Sequence, residues 1–409
     1  MQSTSKGTRL HIALLGRRNA GKSTLLNALT NQEVALVSEI PGTTTDPVYK
    51  AMELLPLGPV MFIDTAGIDD EGILGSMRVQ KTYEVLDKTD VALLVIDAVQ
   101  GMSEYENSLL KICKEKAIPL LLVLNKEDLF NDAAKETFLQ EYQKDIGDTP
   151  CYWVSAATKK GIPQLKQHLL KISPGDWVAP AIVGDLLQPG DLVVLVVPID
   201  MAAPKGRLIL PQVQTIRDIL DHDCFTLVCK EHELKKALQE LKAPPKLVVT
   251  DSQVFMKVAA DTPPDVRLTS FSILMARYKG DLLTLAQGAK AIDHLKPGDK
   301  ILIAEACTHH QQPDDIGKVK IPRWLRQTVG GELTIDFSQG TEFPKNLSEY
   351  KLIVHCGGCM LNRKEMLNRI RKVQEAGKPI VNYGVLIAHI HGILPRALAP
   401  FGIDFSALA

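Results

Sequence analysis

Three groups of residues have the types and spacing that perform chemistry. Gly16-Arg-Arg-Asn-Ala-Gly-Lys-Ser23 has the spacing GxxxxGK[ST], between an apolar run and a helical pattern. In such a loop the backbone N–H groups from Gly16 through Gly21 to Thr24 surround phosphates at a helix N-terminus. Lys22 reaches the β- and γ-phosphates, and Ser23 ligates Mg2+. Asp64-Thr-Ala-Gly67 ends a second apolar run, where a carboxylate holds Mg2+ through water beside the γ-phosphate. Asn125-Lys126-Glu127-Asp128 ends a third, and the Asp128 carboxylate can accept both hydrogen bonds offered by the N1–H and N2–H2 edge of guanine. Adenine lacks that pair of donors, so the wrong base leaves a charge unpaired; the motif selects GTP over ATP. Ser155-Ala156-Ala157 follows another run and can offer a backbone N–H to guanine O6. Four such motifs in this order define a GTP-binding site.

The second chemistry belongs to sulfur and imidazole. Cys307-Thr-His309-His310 and His355-Cys356-Gly-Gly-Cys359 form a CxH, a spacer of 45 residues (310–354), and an HCxxC. Gly357 and Gly358 let the backbone wrap between two thiolates. Asn362 and Glu365 have capping-box spacing, so Cys356 and Cys359 lie on a loop entering a helix N-terminus, which favours thiolate. Three thiolates and an imidazole suit structural Zn2+ or an iron–sulfur cluster, and the ligand set alone does not choose between them. The other four of the seven cysteines are core thiols: Cys113 and Cys151 as small hydrophobes, and Cys224 and Cys229 on a strand whose alternation points them to opposite faces. An odd count in a reducing compartment argues against a disulfide framework.

The elements that must position these residues follow from the apolar runs. LHIALLG, VMFIDTAG, VALLVID, IPLLLVLN and CYWVSA each precede a helical pattern, which reads as βαβ units with a parallel sheet. Linker chemistry at Ile172-Ser-Pro-Gly-Asp-Trp177 leads to a smaller α/β unit with strands around 191–200, 224–229 and 246–250. Its unprotected strand edges invite pairing with a second copy. A third set, ILIAEA, ELTIDF, YKLIVH and PIVNYG, puts both cysteine groups at strand carboxyl ends, where open α/β sheets place ligands. The expected architecture is α/β with three domains. A P-loop GTPase fold occupies 1–174, a small dimerisation domain 175–265, and a metal-cluster domain with a parallel sheet 266–409. A length of 409 residues fits two to three domains. Lys and Arg (47) cancel Asp and Glu (48), which excludes a general attraction to nucleic acid or anionic membrane. With a polar start and no apolar stretch of about 18 residues, a cytoplasmic protein is expected.

The nucleotide motifs resemble the translation-factor-like GTPases that include Era and the tRNA-modification GTPase MnmE, whose GTTxD pattern matches Gly42-Thr-Thr-Thr-Asp46. The resemblance implies that Thr44 senses Mg2+ and the γ-phosphate, with Gly67 ordering beside it, and that Asn19 helps bind K+. Ile68 stands where Ras-like proteins have a water-orienting Gln, so hydrolysis is expected to be slow, or assisted by K+, by a partner, or by Asp69, Asp70 or Glu71. With the cysteine groups added, and the segment Asp314 to Trp324 between them, essentially the whole chain resembles the FeFe-hydrogenase maturation GTPases. That likeness implies a 4Fe-4S cluster on Cys307, Cys356 and Cys359. His309, His310 or His355 would be its fourth ligand or a hydrogen-bond donor beside it. It implies a homodimer through the middle domain, which can pair further, and a role as scaffold and carrier of a two-iron precursor. The partners would be two radical-SAM maturases and the apo-hydrogenase. Two other readings compete: an RNA- or ribosome-associated GTPase with a structural zinc domain, against which stands the lack of a basic, aromatic-interleaved cluster, and a redox-sensing GTPase.

Overall fold

In a computed structural model, the described residues are 6–30, 47–54, 57–65, 82–172, 181–198, 208–306, 315–340, 343–344 and 346–408. The chain divides into two compact units, Met1–Val178 and Ala179–Ala409. Each is an α/β structure built on parallel sheets, as the apolar runs require.

The first unit holds a six-stranded sheet of β1 (Leu10–Leu15), β2 (Val48–Leu54), β3 (Gly58–Asp64), β4 (Val91–Asp97), β5 (Leu120–Asn125) and β6 (Cys151–Trp153). The strand order is β2-β3-β1-β4-β5-β6, with every pairing parallel except β2 with β3. β1 and β4 are buried along their whole length, the condition that forces continuous apolar runs in a sheet covered on both faces. Strand alternation divides their side chains between two cores. Leu10, Ile12 and Leu14 pack with Leu25, Leu26 and Leu29 of the helix Lys22–Thr30, whereas Ala13 and Leu15 pack with Leu109, Leu110 and Cys113 of the helix Glu104–Glu115. β2 escapes the sequence reading because it is an outer, mostly exposed strand in which polar and apolar residues mix.

The second unit contains two four-stranded, wholly parallel sheets. β7 (Leu192–Val196), β8 (Phe225–Cys229), β9 (Leu247–Thr250) and β10 (Arg267–Ser270) form one, in the order β10-β9-β7-β8. β11 (Lys300–Glu305), β12 (Thr334–Gln339), β13 (Leu352–His355) and β14 (Ile380–Asn382) form the other, in the order β12-β11-β13-β14. β10 has only four residues, two of them polar and one charged, too short a pattern to be legible beforehand. Val194, Val248 and Leu268 of the first sheet share one continuous core with Ile301, Ile353 and Val381 of the second. Cys224 packs on one face of β8 and Cys229 on the other, Cys113 is fully buried, and Cys151 is half-buried. Among the described residues no helix is long and apolar enough to cross a membrane.

Candidate functional site

The phosphate loop connects β1 to the helix Lys22–Thr30, and its glycines are fixed by close approach. A Cβ on Gly16 (φ +133°) would fall 2.2 Å from the Val95 carbonyl oxygen, and one on Gly21 (φ +92°) 2.2 Å from Asn125 Nδ2. Asn19 is exposed with φ 61°, the left-handed conformation that asparagine tolerates. The Lys22 ammonium spans the loop, donating to the carbonyls of Gly16 at 2.8 Å and Arg17 at 2.7 Å. Arg17 in turn is tied to Glu106 at 2.7 Å.

Ser23 Oγ donates to Asp64 Oδ2 at 3.0 Å, while Asp64 Oδ1 is buried with no hydrogen-bond partner. Burial pushes the Asp64 carboxyl above its ordinary pKa, opposed by the Lys22 charge and the Ser23 hydroxyl. A buried, unsatisfied carboxylate oxygen beside a P-loop serine fits a hydrated Mg2+, for which it is a ready acceptor. Thr44 and Gly67 lie outside the described residues, as do Ile68 and the three acids after it.

The base-reading residues lie at the carboxyl ends of neighbouring strands. Asn125 is a structural bridge: Nδ2 donates to Ala20 O at 2.9 Å, and Oδ1 accepts from Ala156 N at 3.0 Å. Lys126 has φ 69° and pairs with Asp97 at 2.6 Å; Asp128, one turn further, is exposed. Ser155 is fully buried, its backbone N–H donating to Lys160 O and its Oγ accepting from Thr158 N. Those two bonds shape the loop that would face the base.

The cysteine turn follows β13. β11 and β13 are hydrogen-bonded neighbours, with Ala304 opposite His355, so their carboxyl ends lie side by side. Cys356 N donates to Ala304 O at 2.9 Å, and Cys356 Sγ accepts from Ala306 N at 3.1 Å and Gly358 N at 3.4 Å. Two backbone N–H groups aimed at one sulfur suit a thiolate in a metal–sulfur centre, where such bonds tune the potential. Burial raises the Cys356 pKa, and the two N–H groups counter it. Cys307, the residue after Ala306, lies outside the described residues, as do His309 and His310. Among the described residues no three potential ligands are grouped; the two cysteines on the glycine turn, Cys356 and Cys359, suit part of a zinc or an iron–sulfur site.

His355 is fully buried, and both its ring nitrogens are engaged. Nδ1 donates to Cys356 O at 2.7 Å, and Nε2 accepts from Arg369 at 3.1 Å. Burial and the Arg369 charge hold its pKa down at about 4. In that neutral form no lone pair faces a metal. Asn362 caps the next helix, Arg363–Glu375, accepting from Glu365 N at 3.0 Å.

Three residues around the turn are absent from the motifs, and two of them have no sequence signal. Lys279 is 2% exposed and donates to the carbonyls of Gly358, Cys359 and Leu361. Arg369 crosses from the following helix to His355 and to Gly340 O. Glu305, at the end of β11, is buried with Oε1 accepting from Tyr383 at 3.1 Å and Oε2 from Gln339 at 3.2 Å. For Glu305, its place two residues before Cys307 was the one available hint.

The first unit, in which the P-loop, Asp64 and the Asn125 and Ser155 loops stand at the carboxyl ends of strands of one sheet, is a GTPase domain of the P-loop class. Residues 11–126 match the family described as 50S ribosome-binding GTPase. Residues 182–280 match the hydrogen maturase F dimerization domain, and residues 283–400 the hydrogen maturase F tetramerization domain. The chain belongs to the hydrogen maturase F family. It is 33% identical to GTPase Der of Kosmotoga olearia over 40% of this chain and 39% of that protein. It is 34% identical to the tRNA modification GTPase MnmE of Natranaerobius thermophilus, over 44% of this chain and 36% of that protein. The chain thus spans about two-fifths of the length of the curated relatives it matches. A crystal structure of an Aquifex aeolicus Era variant bound to GDP and AlF4- aligns with 54% of this chain and 93% of its own, at 20% identity and a TM-score of 0.37.

Proposed function

We propose that the protein is a slow, K+-stimulated GTPase that serves as scaffold and carrier in FeFe-hydrogenase maturation in the cytoplasm. It would hold a 4Fe-4S cluster on Cys307, Cys356 and Cys359 and deliver a two-iron precursor to the apo-hydrogenase after exchange with two radical-SAM maturases. The observation that carries this reading is the glycine turn at the carboxyl end of β13, where Cys356 Sγ receives two backbone N–H bonds beside the end of β11. When bound, a three-thiolate cluster supplies an iron with an open coordination position. His355, with both nitrogens committed, is better suited to orienting the turn than to ligation.

In the first domain, Lys22 and the loop amides of Gly16 to Thr24 bind the phosphates. Ser23, Thr44 and Asp64 hold Mg2+, with Asn19 at the K+ site. Asn125, Lys126, Asp128, Ser155 and Ala156 select guanine. Gly67 and Thr44 would order on the γ-phosphate and relax after hydrolysis. The division at 174 and 265 assigns GTP binding, dimerisation and cluster binding to successive parts. A homodimer through the outer strand β8, able to pair further, is supported by the exposure of Phe225 and Val228 there. The test is anaerobic reconstitution followed by addition to apo-hydrogenase. Bound iron and sulfide, both lost in Cys356→Ser, with hydrogenase activation are expected; stoichiometric zinc in place of iron overturns the reading.

A further inference from the structure

A reciprocal pair of cationic contacts joins the helix Phe271–Lys279 to the cysteine turn. Arg363, which opens the helix after the turn, donates to the carbonyls of Arg277 at 3.3 Å, Tyr278 at 2.5 Å and Gly280 at 3.4 Å. A cation at a helix C-terminus satisfies orphan carbonyls and complements the helix dipole, so Arg363 has a sufficient structural reason. Lys279 makes the return contact, with Nζ 3.0 Å from Gly358 O, 3.1 Å from Cys359 O and 2.9 Å from Leu361 O.

Carbonyls alone are poor compensation for an ammonium taken out of water. A buried charge ordinarily requires an opposite charge beside it. Lys279 donates three hydrogen bonds, all to neutral carbonyls and one of them that of Cys359 itself, which leaves a thiolate on this turn as the anion its burial calls for. Arg363 is bonded instead to the end of the helix Phe271–Lys279, through the carbonyls of Arg277, Tyr278 and Gly280. Two cations therefore hold one junction, and Lys279 is the one bonded to the turn that carries the thiols.

We infer that Lys279 is the positioning residue and counter-charge of the group held by Cys356 and Cys359, fixing the turn through three carbonyls while its ammonium offsets the thiolates. This rests on the iron–sulfur reading. A fixed positive charge favours the reduced form, which carries one more electron. At an effective dielectric near 20, a unit charge within about 10 Å changes the reduction equilibrium roughly tenfold or more. Neutralising Lys279 should therefore move the midpoint to more negative potential by about 59 mV for a one-electron couple.

The decisive variant is Lys279→Gln, which keeps two N–H donors for the carbonyls and removes the charge. The full-length protein, reconstituted anaerobically with iron and sulfide, would be titrated with a low-potential chemical reductant and followed by electron paramagnetic resonance. Expected are wild-type iron content and a midpoint at least about 59 mV more negative. Arg363→Met, which opens the same junction but spares the charge near sulfur, should leave the midpoint in place. If Lys279→Gln does not fold, Lys279→Met, which preserves the side-chain volume, is titrated instead with the same expectation. An unmoved midpoint, or an equal shift in Arg363→Met, overturns the inference alone. A wild-type protein that takes up no iron overturns the reading and the inference with it.

Discussion

Gly21→Ala tests whether the phosphate loop and the base-reading motif are one mechanical piece. Gly21 has φ +92°, and an added Cβ would sit 2.2 Å from Asn125 Nδ2. Asn125 is buried and held by two bonds, to Ala20 O at 2.9 Å and from Ala156 N at 3.0 Å. Moving it aside breaks both, at about 1 kcal/mol each, and the positive φ costs an alanine about 1–2 kcal/mol more. The total of about 3–4 kcal/mol should lower the melting temperature of the first unit by roughly 6–16 °C, at about 2–4 °C per kcal/mol for a domain of this size. Guanine nucleotide must either restore Asn125 or bind without it, so affinity should fall about 30-fold, the equivalent of the two lost bonds. Gly58→Ala supplies the comparison within the same unit. Its φ of +84° is similar, but the nearest atom to its Cβ is Glu53 Oε1 at 3.8 Å, an ordinary contact. It should lose the backbone contribution alone and bind nucleotide normally. Thermal melts and titrations with a fluescent-labelled GDP measure both. If Gly21→Ala binds GDP within about threefold of wild type, or melts like Gly58→Ala, the mechanical coupling is refuted.

Two further outcomes can be checked independently. Phe225 on the outer strand β8 is 65% exposed. If the dimer forms there, Phe225→Lys removes about 1–2 kcal/mol of apolar burial per copy, counted twice in a two-fold interface. Self-association followed by sedimentation should weaken at least about 30-fold, and an unchanged dimer constant would exclude β8 from the contact. His11 is buried, and its pKa is lowered to about 4, chiefly by loss of water, with Lys88 adding and the Arg9 carbonyl opposing. The unfolded chain binds this proton near pH 6.5, so stability is full above that value and falls as the pH drops from about 6.5 to 4. The loss is about 3 kcal/mol. Denaturant melts of His11→Gln should show a shallower pH dependence across that window, and a slope equal to wild type would show that His11 is not the group responsible.

Legibility in the sequence followed chain distance. Motifs complete within a few residues, such as Gly16–Ser23, Asn125–Asp128 and Cys356–Cys359, were readable because one turn of backbone fixes their geometry. The apolar runs of β1, β4 and β11 were readable because burial on both faces leaves little room for polar residues. Contacts made across the fold were not. Lys279 donates to Gly358, 79 positions away, and in sequence it is a basic residue in the last turn of a helix, where a solvated cation is the ordinary expectation. Arg369 likewise reads as one of several charges on an exposed helix until His355 is found beneath it. The sequence motif at Asn125 offers a reason for its amide at the base, but its brace to Ala20 needs the adjacency of β1, β4 and β5.

The continuous core of the second unit bears on what can be inherited or engineered separately. The two hydrogen maturase F segments meet between residues 280 and 283, yet Val194, Phe255 and Leu268 pack in the same apolar mass as Leu285, Ile301 and Val385. A gene fragment ending at that seam would present a raw hydrophobic wall to solvent on each product. The pieces would aggregate or demand each other back. The two segments are therefore bound to travel through evolution as a single heritable block.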